Sequence, residues 1–211
     1  MSAGRIVLVR HGQTDYNKQG RVQGTIDIEL NATGIEQARL CGEALPRFLG
    51  ERPVGALVSS NLSRARATAD VIGSRLGINV VEDAGLQERT FGEFEGLSRV
   101  ELETYRSEEY ALWRAGHPPV EMGVEPKLAV AERMVSTVAS YADSLDPEET
   151  LVVVGHGSAL TILMTTLVED DPERGWPLRG LDNCHWSELG RQEDRAPAWQ
   201  LRFHNLGAEL W

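Results

Sequence analysis

The chain has 211 residues, 41% of them apolar, and a formal net charge of −11. That is enough apolar material for one substantial core, and no linker, repeat or low-complexity tract divides it, so one domain over 1–211 is expected. The negative balance argues against general binding to nucleic acid or to an anionic membrane, and any anionic ligand needs a locally basic pocket.

In chain order, the start Met1-Ser2-Ala3-Gly4-Arg5 is too short and polar before its first strand for a signal peptide. Ile6-Val7-Leu8-Val9 is a continuous apolar run and predicts a buried strand over 5–9. It ends in Arg10-His11-Gly12-Gln13-Thr14. Ligands of open α/β sheets bind just outside the carboxyl ends of the strands, so a cation and an imidazole stand where a site belongs. A helix is predicted over 32–49, capped by Asn31 or Thr33, with Ile35, Ala38, Leu45 and Leu49 on its apolar face. A strand over 54–58 leads into Ser59-Ser60-Asn61-Leu62-Ser63-Arg64-Ala65. Ser60 or Asn61 reads as the N-cap of a helix over 62–76, which puts Arg64 in its first turn, at the positive end of the dipole. A cation there makes sense beside a bound anion. Arg66, two residues on, points elsewhere.

A strand is expected over 78–82, then helices over 97–113 and 126–145, the latter with Leu128, Val135, Val138, Ala142 and Leu145 on one face. Leu151-Val152-Val153-Val154 is a second buried-strand run, predicting 151–154, and it ends in Gly155-His156-Gly157 before a helix over 158–168. Two strand ends that each deliver a His-Gly pair are hard to explain by packing. Strands over 185–189 and 199–204 flank a polar turn region and read as a hairpin. Pro53 and Pro147 fall in loops before strands. Alternating strands and helices imply a largely parallel sheet covered on both faces, with the hairpin as an antiparallel edge. The apolar runs fall short of a membrane span. Cys41 and Cys184 are too few for a disulfide framework and lack metal-ligand spacing, so they read as reduced thiols of a cytoplasmic protein, Cys41 within a helix core.

The segment from Arg10 to Asn17 matches the Arg-His-Gly-x-Thr-x-x-Asn signature of the histidine phosphatase superfamily, and the chain resembles its phosphoglycerate-mutase-like branch. The likeness continues in order through Gln23-Gly24, Asn31-Ala32-Thr33-Gly34-Ile35-Glu36-Gln37-Ala38, Ser59 to Ala65, Glu88-Arg89-Thr90-Phe91-Gly92-Glu93-Phe94-Glu95-Gly96 and Gly155-His156-Gly157. It implies a three-layer α/β/α sandwich whose central sheet is mostly parallel with an antiparallel edge.

The implied chemistry also suits the residue types. Phosphomonoester hydrolysis needs a nucleophile, a cationic cradle and an acid for the leaving group. His11 would attack phosphorus through one ring nitrogen, the other N–H being held by a backbone carbonyl of the Gly12 turn. Arg10, Arg64 and His156 would bind the three non-bridging oxygens. Asn17 and Gln23 would add neutral donors, and Gly157 would line the substrate site. Glu88 would protonate the leaving alkoxide and then deprotonate water; Glu82, Asp83, Glu93 and Glu95 are its rivals. No metal or cofactor is expected. His117, His185 and His204 read as structural or surface groups, although the strand opened by His185 could end at the pocket. Trp113 is placed near the substrate.

Three readings compete: a phosphatase, a phosphoglycerate mutase, and a non-catalytic phospho-ligand module. None of the reactive residues is missing, which argues against the module. Mutases of the family carry a longer insert after the Glu88 segment, with an adjacent arginine pair. Here 98–124 is short and holds only the isolated Arg99, Arg106 and Arg114, which favours a phosphatase acting on a small phosphorylated sugar or sugar acid. Most members carry a Gly-Gly-Glu-Ser-like stretch before the helix at 126–145; this chain has Gly123-Val124-Glu125-Pro126-Lys127. A homodimer is left open.

Overall fold

Strands β1 (Arg5–Arg10) and β4 (Thr150–Gly155) lie side by side and parallel at the centre of one sheet. Around them stand β2 (Val54–Ser59), β3 (Val80–Glu82), β5 (Trp186–Arg191) and β6 (Trp199–Leu206), in the order β3-β2-β4-β1-β5-β6. The computed structural model describes residues 2–117, 119–169 and 179–210. β1 to β4 are mutually parallel, while β5 and β6 run antiparallel and form the edge expected of the hairpin.

The period of two along the central strands sorts the core into two layers. Ile6, Leu8, Val58, Leu151 and Val153 face helices α6 (Lys127–Ala142) and α7 (Gly157–Glu169). Val7, Val9, Leu57, Val152 and Val154 face α2 (Ala32–Leu49) and α3 (Ser63–Leu76). Each such aliphatic side chain, fully removed from water, contributes about 1.5–3 kcal/mol of transfer free energy. The result is the α/β/α sandwich the resemblance implies.

Register decides the rest. Arg5 pairs with Thr150 and Arg10 with Gly155, so His11 and His156 each follow the last pair of adjacent parallel strands. The amide of His11 donates to the Gly155 carbonyl at 3.0 Å, carrying the pairing one residue further.

Several elements differ from the sequence pattern. A short α1 (Asp15–Gln19) follows β1, held by a reciprocal cap between Thr14 and Asn17. The helix predicted over 97–113 is two, α4 (Arg99–Tyr105) and α5 (Ser107–Arg114), because Arg106 leaves helical geometry at φ −141°. α6 stops at Ala142 rather than 145, and β3 spans only 80–82. Asn31 caps α2 through Gly34 N–H at 2.9 Å. Ile35 and Leu128 are exposed, whereas the expected Ala38, Leu45 and Leu49 of α2 and Val138 and Ala142 of α6 are buried, joined by Cys41 in α2 and by Val130 and Met134 in α6.

A third, smaller cluster of Phe91, Phe94, Leu102, Met122 and Val124 lies under α4 and α5. Trp113 belongs there, its ring centroid 5.4 Å from those of both Phe91 and Phe94 and 5.7 Å from that of Tyr110. This aromatic packing explains its position.

Candidate functional site

The loop after β1 folds tightly because two glycines meet. A Cβ on Gly12 would stand 2.5 Å from the carbonyl oxygen of Gly34, in the first turn of α2, so neither backbone could approach as it does with a side chain in the way. Gly12 N–H also donates to Thr68 Oγ1 of α3 at 3.1 Å. This fixes His11, whose Nδ1 lies 2.7 Å from the Gly12 carbonyl. A carbonyl can only accept, so Nδ1 carries the proton and Nε2 keeps its lone pair. Burial, and then the charges of Arg10 and Arg64, hold the His11 pKa well below the ordinary imidazole value. The ring is a neutral base with its free nitrogen fixed in orientation.

Arg10 donates through Nη1 to the Leu181 carbonyl at 2.6 Å. Its Nε is buried and has no hydrogen-bond partner among the described residues. Gly157, the first residue of α7, packs against it; a Cβ there would lie 3.5 Å from the guanidinium carbon. Arg64 is fully buried. It donates from Nη1 to Ile26 O at 2.8 Å, from Nη2 to Gly24 O at 2.8 Å, and from Nε to His156 Nδ1 at 3.2 Å. Three of its five N–H groups are thus used on neutral acceptors, leaving two to serve a ligand. Burial lowers the pKa of both arginines from the ordinary value.

Neither Ser60 nor Asn61 caps α3. The N-cap is Leu62, and the exposed Asp27 reaches across to accept from Ser63 N–H at 2.9 Å and Ser63 Oγ at 2.7 Å. Asn61 takes an amide bond from Gln87 at 2.8 Å, while Ser60 Oγ lies 2.8 Å from His156 Nε2. Because Arg64 Nε donates to Nδ1, Nε2 is the protonated nitrogen and donates to Ser60. Burial, then the neighbouring His11, Arg64 and Arg10, keep the His156 pKa well below its usual value. The two imidazole centroids are 5.1 Å apart.

Glu88 is buried in an irregular segment, and its carboxylate meets the N-terminus of α7. Oε2 accepts from Ser158 N–H at 3.0 Å, and Oε1 from Ala159 N–H and Arg89 N–H, each at 2.8 Å. Its rivals turn elsewhere. Glu82 pairs with Arg66, Glu93 with Arg106 at 2.6 Å, Glu95 accepts from Phe91 N–H at 2.9 Å, and Asp83 holds Gly85 N–H and the Tyr141 hydroxyl at 2.8 and 3.1 Å.

Asn17 Oδ1 accepts from Thr14 N–H and from Asn183 Nδ2, both at 3.2 Å, which leaves its amide nitrogen as the free end. Gln23 is buried, with Oε1 accepting from Thr14 Oγ1 at 2.7 Å. Asn183 was not singled out from the sequence as a site residue. It also donates to the His11 carbonyl at 3.0 Å, and Cys184 N–H, on backbone at φ +57°, donates to the Arg10 carbonyl at 3.0 Å. His185 does not reach the site: its Nδ1 bonds the Asn205 carbonyl at 3.1 Å. Cys41 and Cys184 are free and buried. Among the described residues, no group of His, Cys, Asp or Glu is arranged to hold a metal ion, and no helix is long and apolar enough to cross a membrane.

Two arginines, two neutral imidazoles and one carboxylate therefore stand together where β1 and β4 end, the arrangement of a phosphoryl-handling α/β enzyme. The chain matches the family model of the histidine phosphatase superfamily (branch 1) over residues 6–206, and it belongs to that family. It is 31% identical over 223 residues to glucosyl-3-phosphoglycerate phosphatase of Mycobacterium tuberculosis, covering 100% of this chain and 98% of that protein. It is likewise 31% identical to an uncharacterised phosphatase, PhoE, of Bacillus subtilis strain 168, covering 97% and 96% of the two chains. The solved structure of mycobacterial glucosyl-3-phosphoglycerate phosphatase in complex with VO3 superposes with a TM-score of 0.84 at 34% identity, covering 97% of this chain and 100% of that one. The chain is an enzyme of the phosphatase class.

Proposed function

We propose that the chain hydrolyses a small-molecule phosphomonoester through a phosphohistidine at His11, with glucosyl-3-phosphoglycerate as the substrate to test first. The observation that carries this reading is the 2.7 Å bond from His11 Nδ1–H to the Gly12 carbonyl, which leaves a buried Nε2 lone pair beside two arginines. Nε2 forms a bond to phosphorus as the ester P–O bond breaks, and the leaving alkoxide takes a proton from Glu88. Water then attacks phosphorus, gives its proton to Glu88, and releases phosphate as the P–N bond breaks. Arg10 and Arg64 neutralise the non-bridging oxygens, with Asn17 and Gln23 as amide donors and Gly157 leaving room beside Arg10. A dianion beside His156 favours its protonated form; the Arg64 Nε–H bond to Nδ1 is then given up, and Nδ1–H and Arg64 Nε–H both turn to donate to the phosphoryl group.

The substrate class rests on similarity to proteins of that name along nearly the whole chain. A mutase reading finds less support. Arg99 pairs with Glu103 at 2.7 Å and Arg106 with Glu93 at 2.6 Å, and with Arg114 they stand apart in the sequence, so 98–124 offers no adjacent arginine pair to grip a substrate carboxylate. Two free buried thiols support a cytoplasmic location.

The test is a quench in alkaline denaturant after brief exposure to substrate labelled in its phosphate, followed by assay of acid-labile, base-stable label on the protein. His11→Ala should lose both label and turnover. Normal turnover in that variant would sink the mechanism.

A further inference from the structure

Arg133 lies in the second turn of α6 and belongs to no motif that drew attention to the site. Its guanidinium closes around the segment that carries Glu88. Nη1 donates to the carbonyls of Gly85 at 3.0 Å and Gln87 at 2.8 Å, and Nη2 to the carbonyl of Glu88 itself at 3.2 Å. The fork is fixed by Glu125, whose Oε1 accepts from Nε at 2.8 Å and Oε2 from Nη2 at 3.0 Å. Glu125 Oε2 also accepts from Thr90 N–H at 3.2 Å, and its carbonyl accepts from Arg89 Nε at 2.6 Å. Both flanks of Glu88 are therefore tied to one ion pair.

The need for this is physical. Beyond the single turn at Ala84–Leu86, the stretch from Gln87 to Thr90 forms neither strand nor helix, so its carbonyls have no ladder to satisfy them. A planar guanidinium with five donors can hold several carbonyls at fixed relative positions, which an ammonium cannot. Arg133 and Glu125 are partly buried, at 25% and 20% side-chain exposure, so the pair is not a freely solvated surface contact. The acidic residue is the one that the Gly123-Val124-Glu125-Pro126 stretch shares with the Gly-Gly-Glu-Ser-like pattern, so the clamp needs no serine at the place of Pro126.

We propose that Arg133, locked by Glu125, is a positioning residue that sets how far the Glu88 carboxyl reaches toward the leaving oxygen. The proposal rests on Glu88 being the proton donor. It makes a distinction that simple scaffolding does not: loosening the clamp should harm esters in proportion to their need for a proton, and should spare the phosphoryl cradle.

The experiment compares kcat/KM for phenyl phosphate and p-nitrophenyl phosphate, because kcat/KM reports steps only up to release of the phenol and is blind to a slow second half-reaction. Arg133→Met should lower the value for phenyl phosphate about tenfold or more, since a misplacement of about 1 Å can cost about a hundredfold. The value for p-nitrophenyl phosphate, whose leaving group departs nearly unaided, should fall less than about threefold. Inhibition by vanadate should be unchanged within about twofold, because the cradle of Arg10, His11 and Arg64 is untouched. Arg133→Lys and Glu125→Gln carry the same expectation at smaller size, and stand in should the methionine variant not fold. Equal losses on both esters in a folded variant, or no loss on either, overturn the proposal. Glu88→Gln is run alongside. If it shows no leaving-group dependence, the assignment of Glu88 as acid falls and the clamp proposal with it. If it shows a steep dependence while Arg133→Met shows none, the positioning role alone is overturned.

Discussion

The two halves of the site are held by different means. The half that contains Arg10, His11, Arg64 and His156 hangs from the sheet: strand register sets His11 beside His156, and α3 delivers Arg64. The half that contains Glu88 has no strand to hang from: backbone amides at the α7 N-terminus hold its carboxylate, and the side chains of Arg133 and Glu125 hold its backbone. A ladder of backbone bonds is insensitive to single side-chain changes, whereas a clamp of two residues is not. The first half should therefore respond to substitution by losing chemistry outright, and the second by losing selectively.

The largest effect should come from Arg64→Gln. Arginines that stabilise a transferring phosphoryl group are worth about 10³–10⁵ in rate, so kcat/KM should fall by roughly that factor on every phosphate ester, whatever its leaving group. Arg64 also holds the carbonyls of Gly24 and Ile26 and the ring of His156, so the variant's fold must be confirmed by its thermal unfolding. A loss confined to alkyl esters would break the division between the halves.

Glu88→Gln comes next and should split the substrates. General acid catalysis is worth about 10²–10⁴, so hydrolysis of an alkyl phosphate such as glucosyl-3-phosphoglycerate should fall by about that much. Release of nitrophenol from p-nitrophenyl phosphate should fall far less, and rapid-mixing kinetics should show a burst followed by slow turnover as the water attack lags. The same change at Glu93 or Glu95 should do little. Intact alkyl-ester hydrolysis in Glu88→Gln, with loss in a neighbour, would move the acid elsewhere.

The two halves also differ in how plainly the sequence announces them. Buried strand runs have an unmistakable pattern, and whatever follows them lies at the sheet's carboxyl edge, so Arg10, His11 and His156 could be placed from the residue order alone. Arg64 could be placed because a cation in the first turn of a helix makes poor sense without an anion. The capping of α3 could not, because the acceptor that caps it, Asp27, comes from 36 positions upstream, and Ser60 is occupied with His156 instead. Arg133 and Asn183 were invisible for one shared reason. Their acceptors include backbone carbonyls of segments without regular structure, and no side-chain pattern records which carbonyls are left unsatisfied. Trp113 packs in an aromatic cluster with Phe91, Phe94 and Tyr110, and the residue type alone does not separate such packing from a place near the substrate.

Asn183→Ala should sharpen the comparison with a smaller effect. Asn183 bridges the His11 carbonyl and the Asn17 amide, so its loss should loosen the phosphoryl half without removing a group that touches the substrate. A fall in kcat/KM of about tenfold is expected, equal for alkyl and aryl esters because the acid is not involved. Unequal losses would place Asn183 with the Glu88 half.

The smallest effect is on stability and follows from the two buried imidazoles. His11 and His156 have folded-state pKa values well below the ordinary value of an unfolded chain, about 6.5. Below that pH the unfolded chain binds protons at these sites that the folded chain refuses, so stability must decline as pH falls. The contribution is fully present above about pH 7 and is lost progressively on the way down through 6.5 toward the folded values. Urea midpoints measured between about pH 7.5 and 5 should therefore fall for the native protein, and fall less steeply for His11→Gln and His156→Gln. Other groups add their own pH dependence to all three proteins, so the difference in slope is the quantity to read. Identical slopes would mean that the two rings take up protons as readily in the fold as out of it, and the neutral, lone-pair-bearing state assigned to His11 would lose its physical basis.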